Sequence, residues 1–127
     1  MATIGIPEYK NIKMIKSFPA ELDKLLKGYG CEKKFRIWFL DALGKLNDTG
    51  YPYHEHPRDF ESLGQGLFAL TYRNREKNIR IIYHVEKNGI IKLLLSVFDE
   101  KTTHADYNFY INQAKTRLKR ERTGIEI

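Results

Sequence analysis

A single cysteine, Cys31, stands in the 127 residues, so the chain can close no internal disulfide and nothing in it calls for an oxidising compartment. No run approaches the roughly 18 consecutive apolar residues that a membrane-spanning helix needs, which excludes a membrane span of that kind. The first ten residues, M-A-T-I-G-I-P-E-Y-K, lack the charged-then-apolar run of a secretory leader, and a cytoplasmic location with no membrane partner is expected. Internal repeats, low-complexity tracts and Ser/Gly linkers are missing too, so residues 1–127 read as one domain. There is no phosphate-cradling Walker loop, no dinucleotide glycine fingerprint and no serine-nucleophile elbow.

What the chain does have is apolar mass and positive charge. Hydrophobic residues make up 42% and aromatics 13%, enough for a packed core at this length without staples. Lys and Arg number 22 against 16 Asp and Glu, a net charge of +6, and this excess favours a polyanionic partner such as nucleic acid, or an acidic protein.

Periodicity divides the chain. Residues Tyr9–Ile15 alternate loosely and are expected to form an edge strand. Ser17 as N-cap, Pro19 in the first turn and the stripe Phe18, Leu22, Leu25, Leu26 predict a helix to about Tyr29, closed by Gly28 and Gly30. Phe35, Trp38, Phe39, Ala42, Leu43 and Leu46 recur at the spacing of one helix face, predicting a second, core-packing helix that ends at Asn47, Asp48 and Gly50. A loop punctuated by Pro52 and Pro57 follows. Leu67–Arg73, Ile79–Val85 and Ile90–Phe98 read as three antiparallel strands, the last two joined by the hairpin signal Asn88-Gly89. Thr103 with Asp106 resembles a capping box for a final helix whose apolar stripe is Tyr107, Ile111, Ala114 and Leu118. The expected class is α+β: an antiparallel sheet packed on two N-terminal helices, with a C-terminal helix and one sheet face left open.

Side chains two apart on a strand share a face. Ile79, Ile81, Tyr83 and Val85 should therefore meet the helices, with Phe68, Leu70 and Tyr72 beside them. Arg73, Arg80 and His84 are then expected on the other face, as a cationic surface suited to phosphate contacts. The pair His54 and His56, with only Glu55 between and no cysteine beside them, falls short of a zinc ligand set, so neither metal nor cofactor is expected. A solvent-facing histidine suits acid–base work near neutral pH better. Cys31 is read as a structural thiol.

The run L63-G-Q-G-L-F-A-L-T-Y-R73, then I79-R-I-I-Y-H-V85 and L93-L-L-S-V-F-D-E-K-T102, resembles the RelE/HigB toxins of the RelE/ParE superfamily, in a phage-derived branch. The resemblance covers Phe60–Arg120 and extends to the two upstream helices by order and length. It implies a compact RelE-like microbial RNase fold and the toxin half of a type II toxin–antitoxin pair. The implied activity is ribosome-dependent, metal-independent cleavage of mRNA, in which the 2′-OH attacks the adjacent phosphate. The implied partners are mRNA on the ribosome and a cognate antitoxin. Arg80 falls on the arginine of the family's Y-R motif and Lys101 on the second lysine of its K-K-T motif; Tyr107 lies near a functional tyrosine. Arg73, Arg75, Lys92 and Lys115 are expected to contact RNA. Where some members carry a lysine pair this chain has Ala69 and Thr71, and Glu100 replaces the first lysine of K-K-T. His54, His84 and His104 are therefore the expected proton donors and acceptors, with His56 behind them. The alternative is a ParE-like, non-nucleolytic toxin that poisons DNA gyrase.

Overall fold

The computed structural model describes residues 3–6, 9–27, 30, 32–48, 59–73, 78–86, 91–100 and 107–123. The chain order is β1 (Thr3–Ile6), β2 (Tyr9–Ile15), α1 (Phe18–Leu26), α2 (Glu32–Asp48), β3 (Phe60–Gly64), β4 (Leu67–Arg73), β5 (Asn78–Val85), β6 (Lys92–Asp99) and α3 (Tyr107–Thr123). The strands form one six-stranded sheet in the order β1-β2-β6-β5-β4-β3. The α+β class expected from the sequence holds. Two strands were not anticipated, β1 and β3, and both lie at the sheet edges, where pairing on one side alone leaves little hydrophobic pattern to read. As a result Tyr9–Ile15 is not an edge strand. It pairs with β1 on one side and, in parallel, with β6 on the other, so the sheet is mixed rather than antiparallel throughout.

A parallel pair cannot be closed by a tight turn, and the chain between β2 and β6 runs through α1, α2 and the strands β3, β4 and β5. α1 starts where expected, with Pro19 in its first turn. The Ser17 hydroxyl makes no capping bond, however; it is the Ser17 carbonyl that accepts, from the Glu21 amide at 3.1 Å. The α2 stripe packs as its period demands, with Phe35, Phe39, Ala42, Leu43 and Leu46 buried. Phe35 meets Tyr72 of β4 edge-on at 5.2 Å, and Trp38 lies 5.1 Å from the same ring. The C-terminus of α2 is tied to β2, where the Asn11 amide donates to Asn47 Oδ1 (3.0 Å) and Asn11 Nδ2 to the Asn47 carbonyl (3.2 Å).

The alternation along β4 and β5 is as expected: Leu70 pairs with Ile81 on one face, and Thr71 with Arg80 on the other. The second face, though, is not open. α3 lies on it, stacking Tyr110 flat on Phe98 at 4.2 Å and accepting a bond from Ser96 Oγ through Gln113 Oε1 at 2.9 Å. Ile82, directly opposite Ser96, is fully buried there. Aliphatic residues on both faces of β5 and β6 require cover on both sides, and the apolar stripe of α3 supplies it.

One irregularity shapes β6. Ile82 pairs with Ser96 and Tyr83 with Leu94, so Leu95 is the extra residue of a bulge. Its carbonyl is taken by Arg117 of α3 at 2.7 Å, and the same guanidinium grips Glu21 of α1 through two bonds of 2.9 and 2.6 Å. One arginine thus joins both helices to the strand bulge and satisfies a backbone oxygen at the irregular position. The Asn88-Gly89 turn, the Thr103–Asp106 box and the terminating Gly28 and Gly50 lie outside the described residues.

Candidate active site around Arg80

Arg80 is brought to the sheet end by its register. Thr71 of β4 flanks it on one side and Phe98 of β6 on the other. Two positions past Phe98, on the same side of the chain, comes Glu100, whose amide is anchored to the Asn78 carbonyl at 2.9 Å. From the outer strand β3, Glu61 reaches the same place; from α3, the first residue, Tyr107, closes it. The Tyr107 ring packs edge-on against Phe98 at 5.5 Å.

The Arg80 side chain is only 14% exposed, and two of its three guanidinium nitrogens are engaged. Nε donates to Glu100 Oε2, while one terminal nitrogen donates to Glu61 Oε1 (2.8 Å), Thr71 Oγ1 (3.1 Å) and the Tyr107 hydroxyl oxygen (3.4 Å). The guanidinium carbon also sits 4.7 Å from the Tyr107 ring centre, a cation–π contact. Tyr107 in turn donates its own hydroxyl proton to Glu61 Oε1 at 2.9 Å. Burial alone would lower the Arg80 pKa, but the bond to Glu100 and the fields of Tyr107, Glu100 and Glu61 outweigh it and the pKa is raised. Burial, reinforced by Glu61 and opposed by Arg80, pushes the Tyr107 phenol far above its ordinary value. Tyr107 is thus a neutral hydrogen-bond donor at physiological pH, and Arg80 a permanent cation.

The sequence reading placed Arg80 and Tyr107 in the site, and they are in contact. It missed Glu61, Glu100 and Thr71. The signal for Glu61 was present in F60-E-S-L-G-Q-G-L67, where glycines after a short apolar-edged run mark a hairpin. All three turn residues have positive φ, Gly64 at 81°, Gln65 at 56° and Gly66 at 78°. Glu100 had been seen only as a departure from a lysine motif.

Two expected positions are corrected. His84 shares the Arg80 face, but it is 6% exposed rather than solvent-facing, and it lies four residues along β5, roughly 13 Å away at ~3.3 Å per residue. Its Nδ1 bonds the Gly66 carbonyl at 2.8 Å and Nε2 is 3.8 Å from Glu86, so it holds the β3–β4 turn. Lys92, expected to touch RNA, is 1% exposed at the start of β6; Nζ donates to the Asn47 carbonyl at 3.4 Å, capping the end of α2. Burial, partly offset by Asp48, lowers its pKa. Arg73 stands at the end of β4, 3.7 Å from Asp59, and Lys115 is exposed on α3. His54, His56, Arg75, Lys101 and His104 lie outside the described residues. Among the described residues no cluster of three or more His, Cys, Asp or Glu could hold a metal ion, and no helix is long and apolar enough to cross a membrane.

Chemically, the site joins a fixed cation, a neutral phenol, a threonine hydroxyl and two carboxylates. Glu61, with its side chain 47% exposed, is the group that an incoming anion could displace at least cost. No family model, curated protein or solved structure matches the chain.

Proposed function

We propose that the chain is a RelE/HigB-like toxin that cleaves mRNA on the ribosome, with Arg80 as its phosphate-stabilising group. The observation carrying this reading is the convergence of Arg80, Tyr107 and Glu61 within hydrogen-bond reach of one another, from three separate elements. Transesterification of RNA needs a base for the 2′-OH, a cation for the phosphorane and a proton for the leaving 5′-oxygen. Glu61 takes the 2′-OH proton; the 2′-oxygen then attacks phosphorus, and the 5′-oxygen leaves. Arg80, turning its terminal nitrogens from Glu61 to the phosphate, neutralises the developing charge, and the neutral Tyr107 hydroxyl orients the phosphate beside it. The proton for the 5′-oxygen is assigned to His104, three residues before Tyr107 in the chain. The products are a 2′,3′-cyclic phosphate and a 5′-OH.

The order β2–α1–α2, three antiparallel strands β4–β5–β6, then α3 also supports the resemblance to these toxins. One observation favours the ParE-like alternative. Ala69 and Thr71, standing where some members carry lysines, are 0% and 2% exposed, so cations are missing from a surface that α3 has already closed. Expression without a neutralising partner separates the two. The RNase reading requires growth arrest with new 5′ ends within the codons of translated messages. Intact messages with accumulated DNA breaks would instead establish the gyrase reading.

A further inference from the structure

α3 carries five basic residues, Lys115, Arg117, Lys119, Arg120 and Arg122, against one acid, Glu121. That is +4 in one helix, from a chain whose total is +6. α2, equally long, holds four basic residues and three acids. The excess is thus concentrated on the helix that starts at the Arg80 site. Phe109 is 59% exposed on that helix, whereas the neighbouring rings of Tyr107 and Tyr110 turn inward onto Phe98. Leaving an aromatic ring in water is unfavourable, and here it sits in a polar setting: a groove of about 470 Å³ runs from Phe109 past Asn112, Gln113 and Thr116 to Arg117 and Arg120. Lys115 and Lys119 are exposed on the other flank of the helix.

We infer that the outer face of α3 is a single-stranded RNA path leading away from the Arg80 site, with one base stacked on Phe109 and phosphates against Lys115, Lys119 and Arg120. The combination fits this ligand better than an acidic protein. Every base offers a π-face to a ring, and a strand's phosphates recur along its length as the cations do along the helix. Asn112, Gln113 and Thr116 provide donors and acceptors for sugar or base edges. Arg117 is not part of the contact, because Glu21 and Leu95 hold it. The inference rests on the RNA-cleaving reading for its purpose, though not for its test.

The probe is a 2′-O-methyl RNA of about 12 nucleotides, within the usual site sizes, which cannot be cleaved because its 2′-oxygen has no proton to give. Fluorescence anisotropy over roughly 50–200 mM salt reads affinity and charge count together. Phe109→Ala should bind roughly 5- to 100-fold more weakly, and Phe109→Trp should restore binding. Lys115→Ser with Lys119→Ser should reduce the slope of log affinity against log salt by about 1.4, two phosphates at ~0.7 each. Neither side chain supports the core, so circular dichroism should match the unsubstituted protein. Undetectable binding by the unsubstituted protein, or an affinity and slope unchanged by these substitutions, overturns the inference. So does equal competition by poly-glutamate that is insensitive to Phe109→Ala, which would mark an acidic-protein dock. Binding that behaves as stated in a protein unable to cleave ribosome-bound mRNA would remove the proposed activity and leave this surface standing.

Discussion

Replacing Arg80 with lysine keeps the charge and removes the fork. In the folded protein Nε serves Glu100 while a different nitrogen serves Glu61, Thr71 and Tyr107, so the partners are met from two directions at once. A single ammonium on a flexible stem cannot do this, and it loses the planar contact with the Tyr107 ring. Hydrogen bonds to charged groups contribute about 1.5–3 kcal/mol each when well buried. Glu61 is nearly half exposed and would re-solvate, so most of its share is recovered. The net loss should therefore be about 1–2 kcal/mol, or about 3–8 °C in Tm for a domain of this size. Cleavage should fall further, by roughly 100- to 1,000-fold, because the aligned donors are lost in the transition state. Arg80→Ala is a poorer probe: it leaves Glu61, Glu100 and Tyr107 converging on a void and would confound stability with chemistry. The assays are urea unfolding of Arg80→Lys and single-turnover cleavage of mRNA in a reconstituted translation complex. Unchanged stability would show that the four-partner arrangement does not form in solution. A folded Arg80→Lys protein cleaving at the unsubstituted rate would remove Arg80 from the mechanism.

Glu61→Gln should reduce cleavage by roughly 100- to 10,000-fold, with stability changed by less than about 1 kcal/mol, since the amide oxygen still accepts from Tyr107 and Arg80; an unchanged rate would assign the base elsewhere. Gly66→Ala should cost about 1–3 kcal/mol in urea unfolding, and more than Gly64→Ala, because both have positive φ but only at Gly66 would the new Cβ lie 3.2 Å from the His84 ring; equal losses would mean that His84 simply moves aside. Lys92→Met should be neutral or stabilising at pH 7, because the buried amine's pKa is lowered. Between that lowered pKa and 10.5 the unfolded chain binds more protons, so the stability of the unsubstituted protein should rise with pH and the advantage of the methionine should shrink. A gap between the two proteins that stays constant from neutral pH to about pH 10 would contradict this.

The legibility of the fold follows from how many sides of each element are buried. α2 is readable because six residues repeat at one helical spacing, and β6 because Leu93, Leu94, Leu95, Val97 and Phe98 are apolar and packed on both faces. The edge strands β1 and β3 carry no such constraint, since each pairs only with the strand that follows it and has no strand on its other side. The face expected to be open is covered by α3: the stripe Tyr107, Ile111, Ala114 and Leu118 is visible in the sequence, yet a stripe alone does not say which surface it covers. Arg80 and Tyr107 were found because strand alternation and motif order name them. Glu61 and Glu100 escaped because an acidic residue at a strand end looks like any solvated one until register brings it to the arginine. His84 and Lys92 misled for the converse reason, since polar side chains at regular strand positions are buried here against Gly66 and the end of α2.

The chemistry of the cut tests the RNA-cleaving proposal most directly. Purified protein added to ribosomes translating a defined message should generate fragments whose new 5′ ends carry a hydroxyl, accept phosphate from polynucleotide kinase without prior phosphatase treatment, and lie opposite 2′,3′-cyclic phosphate ends. Intact mRNA, or fragments bearing 5′-phosphates, would contradict it.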